Sequence, residues 1–272
     1  YTSDEINQIA SSLVNIPPLD ITLKKIDEKI AEDLGGQCII PRNIRFKKYR
    51  FIPDIEYYHD GKWWIQDIAA SIPVRIIQDE INNKNIVDLC AAPGGKTANL
   101  IDAGAKVTAI ESNIDRISLL KINLKRLNFE ANIIHADGTK WRTKLKYDGV
   151  LIDAPCSSTG VMRRNPDILR RKNHNLDYLT NLQHKLLNNG IKLLKKGGFL
   201  LYCTCSLEKE EGEYQIDRIL DERDDIALRK IGKKDIGIFH EFIHTNGYLR
   251  ILPNIIADGG NDGFFISILQ KK

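Results

Sequence analysis

Two cysteine-containing segments are the places where covalent chemistry could occur. In DAPCSS, an apolar run ends at Asp153 and is followed by Cys156; in CTCS, Cys203 and Cys205 follow the run GFLLY. A thiolate can add to an electrophilic carbon, and a carboxylate beside it can hold a polar edge or move a proton. Most buried cysteines, however, are inert small hydrophobic residues, so the spacing alone leaves both interpretations open.

The positions of these thiols along their strands favour a shared site. Cys203 and Cys205 point to the same face while the strand lasts, because side chains alternate along a strand. If both segments belong to one parallel sheet, their carboxyl ends meet at the edge where such sheets bind ligands. Asp153, Cys156 and Cys205 would then converge on one pocket, which favours a nucleophile over an inert thiol.

A glycine-rich turn, VDLCAAPGGKT at 87–97, marks a candidate ligand site at another strand end. Gly94 and Gly95 would let a ligand approach the backbone closely. The spacing matches neither GxGxxG nor GxxxxGKS/T, so it does not favour a phosphate-binding loop. By spacing alone, an ordinary turn between a strand and a helix is an equally good interpretation.

Two acidic residues end the strands that follow. Glu111 lies about 20 residues beyond the glycine turn, where an acidic residue commonly binds the ribose hydroxyls of a nucleoside. Asp137, in the segment HAD, could accept a hydrogen bond from an adenine amino group. Each signal is weak by itself. Because the glycine turn also lacks the spacing of a pyrophosphate-binding loop, the signals together favour S-adenosylmethionine over NAD as the cofactor.

Two basic segments are candidates for binding a nucleic-acid backbone. The first, PRNIRFKKYRF, mixes cations with aromatic rings, a composition typical of RNA-binding surfaces; the second follows Cys156. Their residues are Arg42, Arg45, Lys47, Lys48 and Arg50 with Phe46, Tyr49 and Phe51, and then Arg163, Arg164, Arg170, Arg171 and Lys172. The alternatives are an edge strand whose outward cations discourage aggregation, and a solvated loop.

From Lys84 onward, strand-like and helix-like segments alternate. The predicted strands are NIVDL, AKVTAIE, ANIIHAD, YDGVLIDAP and GGFLLYCTCS, and the predicted helices are 97–102, 115–127, 176–194 and 207–220. This alternation predicts an α/β fold with a doubly wound, mostly parallel sheet. We therefore expect one domain over residues 60–272, with its site at the carboxyl edge of the sheet.

The first 59 residues have a different pattern, which predicts a small α+β module. Residues 3–14 predict a helix capped by Ser3, and LKKIDEKIAEDLGG predicts a second helix that ends at two glycines. The apolar face of this second helix carries Leu23, Ile26, Ile30 and Leu34. Residues 38–58 are β-like and basic, so we expect the module to bind RNA.

The composition sets limits on location and partners. Of 272 residues, 42% are hydrophobic and 28% charged, and the net charge of +4 permits an anionic partner without requiring one. No apolar stretch reaches the roughly 20 residues of a membrane span, and the N-terminus lacks a signal-peptide core. Five cysteines without a CxxC pair indicate a reducing cytoplasm, with neither disulfides nor a metal site. We expect a monomer and, since Tyr1 is not Met, a longer gene product.

Five motifs together resemble those of one enzyme family. DLCAAPGGKT, DAPCSSTGVMRRNPD, YCTCSLEKEE, DGFF and WIQDIAAS are similar to the motifs of Sun-type RNA cytosine-C5 methyltransferases, in particular the bacterial branch that methylates 16S ribosomal RNA. The resemblance extends from about Pro17 to Lys272, and paired PCS and TCS motifs in a Rossmann-like chain are highly specific. It implies an S-adenosylmethionine-dependent enzyme that acts on an unpaired or flipped-out base of RNA.

The resemblance also implies catalytic roles. Cys205, in TCS, would add to C6 of the target cytosine and so make C5 nucleophilic enough to take a methyl group. Asp153 would hydrogen-bond the cytosine edge and support protonation at N3, and Cys156, in PCS, would assist product release. Lys96 would help to position groups at the active centre.

For the cofactor, the resemblance implies contacts along one loop and several strand ends. The residues are Cys90, Ala91, Ala92, Pro93, Gly94, Gly95, Lys96, Glu111, Arg116, Asp137 and Asp153. Glu111 would bind the ribose, Asp137 would lie near adenine, and Arg116 would support them. Two positions depart from the family pattern: Glu111 stands where Asp is commoner, and Cys203 replaces a small Ala or Ser.

Alternatives to this interpretation remain open from the sequence. The same chemistry could act on transfer RNA, or the chain could be a catalytically silent RNA-binding factor of ribosome assembly. Intact Asp153, Cys156 and Cys205 argue against a silent factor. A DNA cytosine methyltransferase would place its nucleophile at Cys156, and an N6-adenine methyltransferase would need an Asn/Asp-Pro-Pro-aromatic loop, which DAPC is not.

Overall fold

The computed structural model describes the chain except residues 15, 26, 49, 172–174, 233–235 and 258. Three residues of the predicted features lie outside the described residues: Ile26 of the helix face, Tyr49 of the first basic segment and Lys172 of the second. Within the described part of the chain, no helix is both long and apolar enough to cross a membrane.

The N-terminal region forms a small antiparallel sheet with two helices. The helices are α1 (Ser3–Ser12) and α2 (Glu28–Leu34), and the strands are β1 (Leu19–Leu23), β2 (Gln37–Cys38), β3 (Asn43–Phe46) and β4 (Trp63–Ile65). The strand order is β2-β3-β1-β4, with β1 antiparallel to both of its neighbours. Strand β4 belongs to this sheet although it follows residue 60, where the sequence pattern places the start of the larger domain.

Two local predictions in this region are wrong. Helix α1 is capped by Thr2 rather than Ser3: the Thr2 hydroxyl accepts from the Glu5 N–H at 3.2 Å, and the Glu5 carboxylate accepts from the Thr2 N–H at 2.7 Å. Leu23 does not lie on a helix but at the end of β1, because the chain there pairs with β4.

The central sheet contains the strands that the alternation predicts. Its parallel strands are β5 (Asn85–Asp88), β6 (Lys106–Glu111), β7 (Asn132–His135), β8 (Tyr147–Asp153) and β9 (Leu194–Thr204). Their order in space is β9-β8-β5-β6-β7, so the strand order reverses beside β5. Ligands of such sheets bind where the order reverses, beyond the carboxyl ends of the strands. The prediction of a doubly wound, mostly parallel sheet is confirmed.

Helices and apolar cores cover both faces of this sheet. The helices are α3 (Ile68–Arg75), α4 (Gly95–Asp102), α5 (Ile114–Arg126), α6 (Leu176–Leu193) and α7 (Glu213–Asp221). Alternate residues of the middle strands enter two separate cores: Leu151 and Leu201 pack with α3 and α4, whereas Ile152 and Leu200 pack with α6 and α7. A sheet buried on both faces explains why its strands read as continuous apolar runs.

Three C-terminal strands, which the sequence pattern does not predict, complete the central sheet. They are β10 (Ile226–Arg229), β11 (Leu249–Ile251) and β12 (Phe264–Lys271). Strand β12 runs antiparallel to β9, and β10 and β11 both pair with β12. The register pairs Phe265 with Thr204, so the start of β12 lies beside the carboxyl end of β9.

Charged side chains join the small sheet to the central one. The Arg42 guanidinium forms an ion pair with Asp102, the last residue of α4. Lys24 donates a hydrogen bond to the carbonyl of Leu127, just after α5, at 2.5 Å. These contacts hold the small sheet against the C-terminal ends of α4 and α5.

Candidate active site

A cavity of about 650 Å³ opens between the carboxyl edge of the central sheet and the small sheet. Its volume lies in the range of small-molecule sites. The lining includes Pro17, Pro18, Leu19, Phe46, Lys47 and Ile65 from the N-terminal region, and Asp88, Cys90, Ala91, Ala92, Pro93, Gly94, Gly95, Lys96, Asp153, Arg164, Cys205, Asp262 and Phe264 from the rest of the chain. The structure therefore brings the glycine turn, Lys96, Asp153 and Cys205 to one cavity.

The turn between β5 and α4 forms one wall of the cavity. Gly94 has a φ of 106°, and a Cβ there would lie 2.7 Å from a leucine side chain of α5, so this position requires glycine. The bond between Ala92 and Pro93 is a cis peptide. Two side chains of α5 hold the carbonyls of the turn: Arg116 donates to Ala92, and Asn123 donates to Pro93 at 2.8 Å.

Asp88, the last residue of β5, is a cavity residue that the sequence reasoning missed. Its carboxylate accepts a hydrogen bond from the Thr97 hydroxyl at 2.8 Å. Burial, which outweighs this hydrogen bond, raises the pKa of Asp88 to about 7. Its position at a strand end before the glycine turn is the same signal that singled out Glu111 and Asp153.

Lys96 and Asp153 form an ion pair at the centre of the site. Nζ of Lys96 lies 2.7 Å from Oδ2 of Asp153 and 4.8 Å from the centre of the Phe264 ring. Burial by itself lowers the pKa of Lys96, but the charge of Asp153 raises it above its ordinary value, so Lys96 is a cation. The Asp153 side chain is 35% exposed and the Lys96 side chain 9%, so the carboxylate is the more accessible partner.

Cys205 lines the cavity, and Cys156 lies behind it. Their Sγ atoms are 3.5 Å apart. The Ser158 hydroxyl lies 3.7 Å from Sγ of Cys205 and 3.9 Å from Sγ of Cys156. Cys203 is completely buried, and its Sγ lies 3.5 Å from Oδ1 of Asp153. The structure thus brings both cysteine-containing loops together and turns the third thiol toward the carboxylate.

The contact between the two thiols separates their acidities. The hydrogen bond from Cys156 lowers the pKa of Cys205, although burial acts in the opposite direction. The same contact, together with burial, raises the pKa of Cys156 well above that of an ordinary thiol. Cys205 is therefore the more acidic thiol of the pair, and a thiolate formed there is favoured over one on Cys156.

Three of the predicted cofactor residues lie outside the cavity lining, near the same sheet edge. Glu111 is buried, and its carboxylate accepts the N–H groups of the two following residues at 2.9 and 3.0 Å. Arg116 lies 3.8 Å from that carboxylate. Asp137 accepts from the hydroxyl and the N–H of Thr139, at 2.7 and 2.8 Å, and these bonds lower its pKa.

A cluster of charges borders the cavity on the side of β12. Asp262 is buried and accepts from Arg164, whose Nε lies 2.9 Å from both carboxylate oxygens. Arg163 lies 3.4 Å from the same carboxylate and also pairs with Asp67, the N-cap of α3. The Arg164 side chain is 45% exposed, whereas that of Arg163 is 1% exposed. Arg164 therefore presents a cation to the cavity.

Some of the cations expected to contact RNA have partners inside the protein instead. Arg45 is completely buried, and its Nε and Nη2 both lie 2.7 Å from the carboxylate of Asp20. Because a buried guanidinium cannot reach a phosphate, the interpretation as an RNA contact is wrong for Arg45 and Arg163. Lys48 and Arg170 are exposed.

The site contains thiols, a carboxylate and cations. Among the described residues, no group of three or more His, Cys, Asp or Glu side chains is placed to hold a metal ion. The doubly wound sheet, with a glycine turn after β5 and its cavity beside that turn, is the fold of the S-adenosylmethionine-dependent methyltransferases. A solved methyltransferase homologue from Pyrococcus horikoshii is 25% identical, with a TM-score of 0.77 over 97% of this chain and 90% of that chain.

Comparison with protein families identifies the family. Residues 76–270 match the family described as 16S rRNA methyltransferase RsmB/F, and the chain belongs to this family. Proteins named ribosomal RNA small subunit methyltransferase B from Erwinia tasmaniensis and Salmonella arizonae are 37% and 39% identical over 221 residues. Each match covers 79% of this chain and 48% of the relative, so the chain spans about half the length of these curated relatives.

Proposed function

We propose that the protein is an S-adenosylmethionine-dependent RNA cytosine-C5 methyltransferase that acts on 16S ribosomal RNA. The observation that carries this proposal is the placement of one thiol, Cys205, on the same cavity as the Asp153–Lys96 pair, with a second thiol directly behind it. Relatives named ribosomal RNA small subunit methyltransferase B support ribosomal RNA as the substrate.

The cavity has the properties that S-adenosylmethionine requires. Its volume suits a nucleoside-sized ligand, and Gly94 and Gly95, which carry no side chain, let such a ligand approach the backbone of the turn closely. We assign the cofactor to the loop Cys90–Lys96 with Glu111, Arg116, Asp137 and Asp153 around it; when bound, the cofactor supplies the methyl group. Glu111 and Asp137 each accept backbone N–H groups of the residues that follow them, and these bonds fix the loops after β6 and β7 that border the cofactor site.

Each of the four catalytic residues has a separate role in the proposed reaction. The Cys205 thiolate adds to C6 of the cytosine, which makes C5 a nucleophile for the methyl group. The Asp153 carboxylate accepts from the amino group of the base and supports a proton at N3 as charge develops, while Lys96 fixes its orientation. Sγ of Cys156 lies 3.5 Å from Sγ of Cys205, within reach for its thiol to donate to that sulfur and stabilise it as the leaving thiolate when the product is released.

The RNA would reach the cavity across two surfaces. Arg164 offers a cation at the cavity itself, and the N-terminal module, residues 1–59, offers exposed Lys48 and the exposed ring of Phe51. We propose RNA binding for this module and methyl transfer for residues 60–272. We also propose a cytoplasmic location, which the five free thiols support, and a monomeric state.

Covalent trapping tests the proposal. Protein and S-adenosylmethionine are mixed with a 16S ribosomal RNA fragment or a transfer RNA that carries 5-fluorocytosine, and adducts that resist denaturation are counted. Fluorine at C5 blocks elimination, so the nucleophile stays bonded to C6. We expect adducts with the ribosomal fragment in the wild type and in Cys156→Ala, and none in Cys205→Ala.

Any outcome other than the expected one contradicts a specific part of the proposal. Loss of the adduct in Cys156→Ala alone would invert the two thiol roles. Adducts with transfer RNA alone would retain the chemistry and exclude 16S ribosomal RNA as the substrate. No adduct with either RNA would leave the chain a silent RNA-binding factor.

A further inference from the structure

Glu211 is a completely buried carboxylate beside the thiol pair, and it belongs to the turn Lys209–Glu211 before α7. Its oxygens accept from the Ser157 N–H at 3.0 and 3.1 Å, from the Ser157 hydroxyl at 2.5 Å and from Nε2 of Gln183 at 2.9 Å. Among the described residues, no Lys, Arg or His forms an ion pair with it. Neutral donors alone therefore stabilise its charge.

The donors to Glu211 lie on both sides of Cys156 in the chain. Ser157 follows Cys156 directly, and Gln183 also donates to the carbonyl of Pro155, which precedes it, at 2.9 Å. The backbone before and after Cys156 is thus fixed through a carboxylate and an amide from two other elements. An acceptor-only carboxylate suits this place, because all of the groups directed at it are donors.

The same network fixes this loop to the segment just beyond β9 that contains Cys205. The Ser157 hydroxyl lies 3.1 Å from the hydroxyl of Ser206, and the Gly160 N–H donates to the carbonyl of Cys205 at 2.9 Å. The Tyr202 hydroxyl donates to the carbonyl of Glu211 at 2.8 Å. Glu211 therefore helps to set the 3.5 Å separation between the two sulfur atoms.

The negative charge of Glu211 also acts on the thiol. After the contact with Cys205, burial and the charge of Cys205, the charge of Glu211 contributes to raising the pKa of Cys156. This effect keeps the proton on Cys156, where it can be donated to Cys205.

We propose that Glu211 is a positioning residue for Cys156 and that it serves release of the methylated base rather than formation of the adduct. The inference rests on the proposed function. In the release step, the C5–H bond breaks and its electron pair forms the C5=C6 double bond, while the proton passes to water. The C6–S bond breaks, and its electron pair returns to Sγ of Cys205, where the Cys156 thiol donates a hydrogen bond to the departing sulfur.

The test uses the full chain with S-adenosylmethionine and ordinary, unfluorinated RNA. Glu211→Gln keeps the shape of the side chain but replaces one acceptor with a donor that faces other donors. The matched control is Glu210→Gln, because Glu210 is the exposed neighbour on the same turn. We expect Glu211→Gln to accumulate a covalent adduct and to slow turnover by about 10- to 100-fold, since small misplacements of reacting groups cost rates of this size. The first methyl transfer should slow much less than release, because Glu211 contacts the loop of Cys156 and makes no direct contact with the Cys205 side chain.

A double variant separates positioning from a purely structural role. If Glu211 acts through Cys156, then adding Glu211→Gln to Cys156→Ala should not slow release further. An additional loss in the double variant, equal losses of adduct formation and release, or wild-type behaviour of Glu211→Gln would each overturn the proposal.

Two further measurements keep the result interpretable. If Glu211→Gln fails to fold, Ser157→Ala removes the 2.5 Å hydroxyl donor and leaves the carboxylate in place, and the same accumulation is expected of it. The fluorinated RNA assay on the wild type tests the proposed function separately. Absence of that adduct rejects the proposed function, whereas its presence without accumulation in Glu211→Gln rejects only the role of Glu211.

Discussion

Cys156 and Cys205 carry the same functional group, and their surroundings give them different properties. Cys205 opens to the cavity and has a lowered pKa, whereas Cys156 lies behind it and retains its proton. The sequence places both thiols at the carboxyl edge, but no spacing rule specifies a 3.5 Å contact between loops that are 49 residues apart. Which of the two thiols faces the cavity is determined by how the two loops pack together.

We expect Cys156→Ala to make Cys205 less acidic. The thiol contact lowers the pKa of Cys205, so its removal raises that pKa, and less thiolate is present at any given pH. The rate at which iodoacetamide alkylates Cys205, followed by mass spectrometry of the peptide across pH, should shift to higher pH. Cys38→Ala is the control, because Cys38 is an exposed thiol whose sulfur contacts a backbone carbonyl. An unchanged profile in Cys156→Ala would contradict the assigned proton donor.

At the scale of elements, the parallel strands could be predicted because each is an apolar run that ends in a polar residue. Strand β1, LDITL, could not be predicted in this way. Asp20 interrupts its apolar pattern, and Leu23 fits the helical periodicity of the segment that follows. Asp20 is compatible with a buried strand because its carboxylate pairs with Arg45 on β3, its register partner, and accepts the Ile68 N–H at 3.2 Å. A pairing between distant residues of this kind leaves no local signal.

Arg45→Met should therefore destabilise the fold rather than weaken RNA binding directly. The substitution leaves Asp20 buried without its cation, and breaking a buried ion pair in this way costs about 3–5 kcal/mol. Urea unfolding measures the difference in the free energy of unfolding. Lys48→Met, an exposed position on the same basic segment, should change it by less than about 0.5 kcal/mol. Similar stability for the two variants would contradict the buried role of Arg45.

A second prediction at this scale concerns the close approach of the loops at Gly160. A Cβ there would lie 2.2 Å from the carbonyl oxygen of Gly263 and 2.8 Å from that of Cys205, and both are backbone atoms. Gly160→Ala should cost about 1–3 kcal/mol of stability and slow adduct formation with the fluorinated RNA, because the backbone of Cys205 must move. Gly232→Ala is the control, since a Cβ at Gly232 meets nothing within 4 Å. Equal adduct rates in the two variants would show that the contact does not position Cys205.

At the scale of the whole molecule, the cavity is built from both sheets. Leu19, Phe46 and Ile65 of the small sheet lie on the same cavity as Gly94 and Asp153 of the central sheet. The change in sequence pattern predicts a boundary near residue 60, but strand β4 lies after that position and still pairs with β1 of the small sheet. The cavity wall opposite the glycine turn comes from the small sheet. It forms only where the two regions pack together, so the sequence pattern of either region alone could not predict it.

The last prediction concerns how this assembled surface binds a polyanion. Arg164 stays at the cavity because the buried Asp262 holds it, and in the proposed complex with RNA we expect its exposed guanidinium to contact a phosphate. Each phosphate contact on a single strand steepens the dependence of log affinity on log salt concentration by about 0.7. Arg164→Gln should therefore make that dependence shallower by about 0.7 when RNA dissociation constants are measured across potassium chloride concentrations. Arg218→Gln removes the same charge from an equally exposed arginine on α7 and should leave the slope unchanged. Equal slopes in both variants would mean that Arg164 contributes only to the net charge of the protein and makes no contact with the RNA.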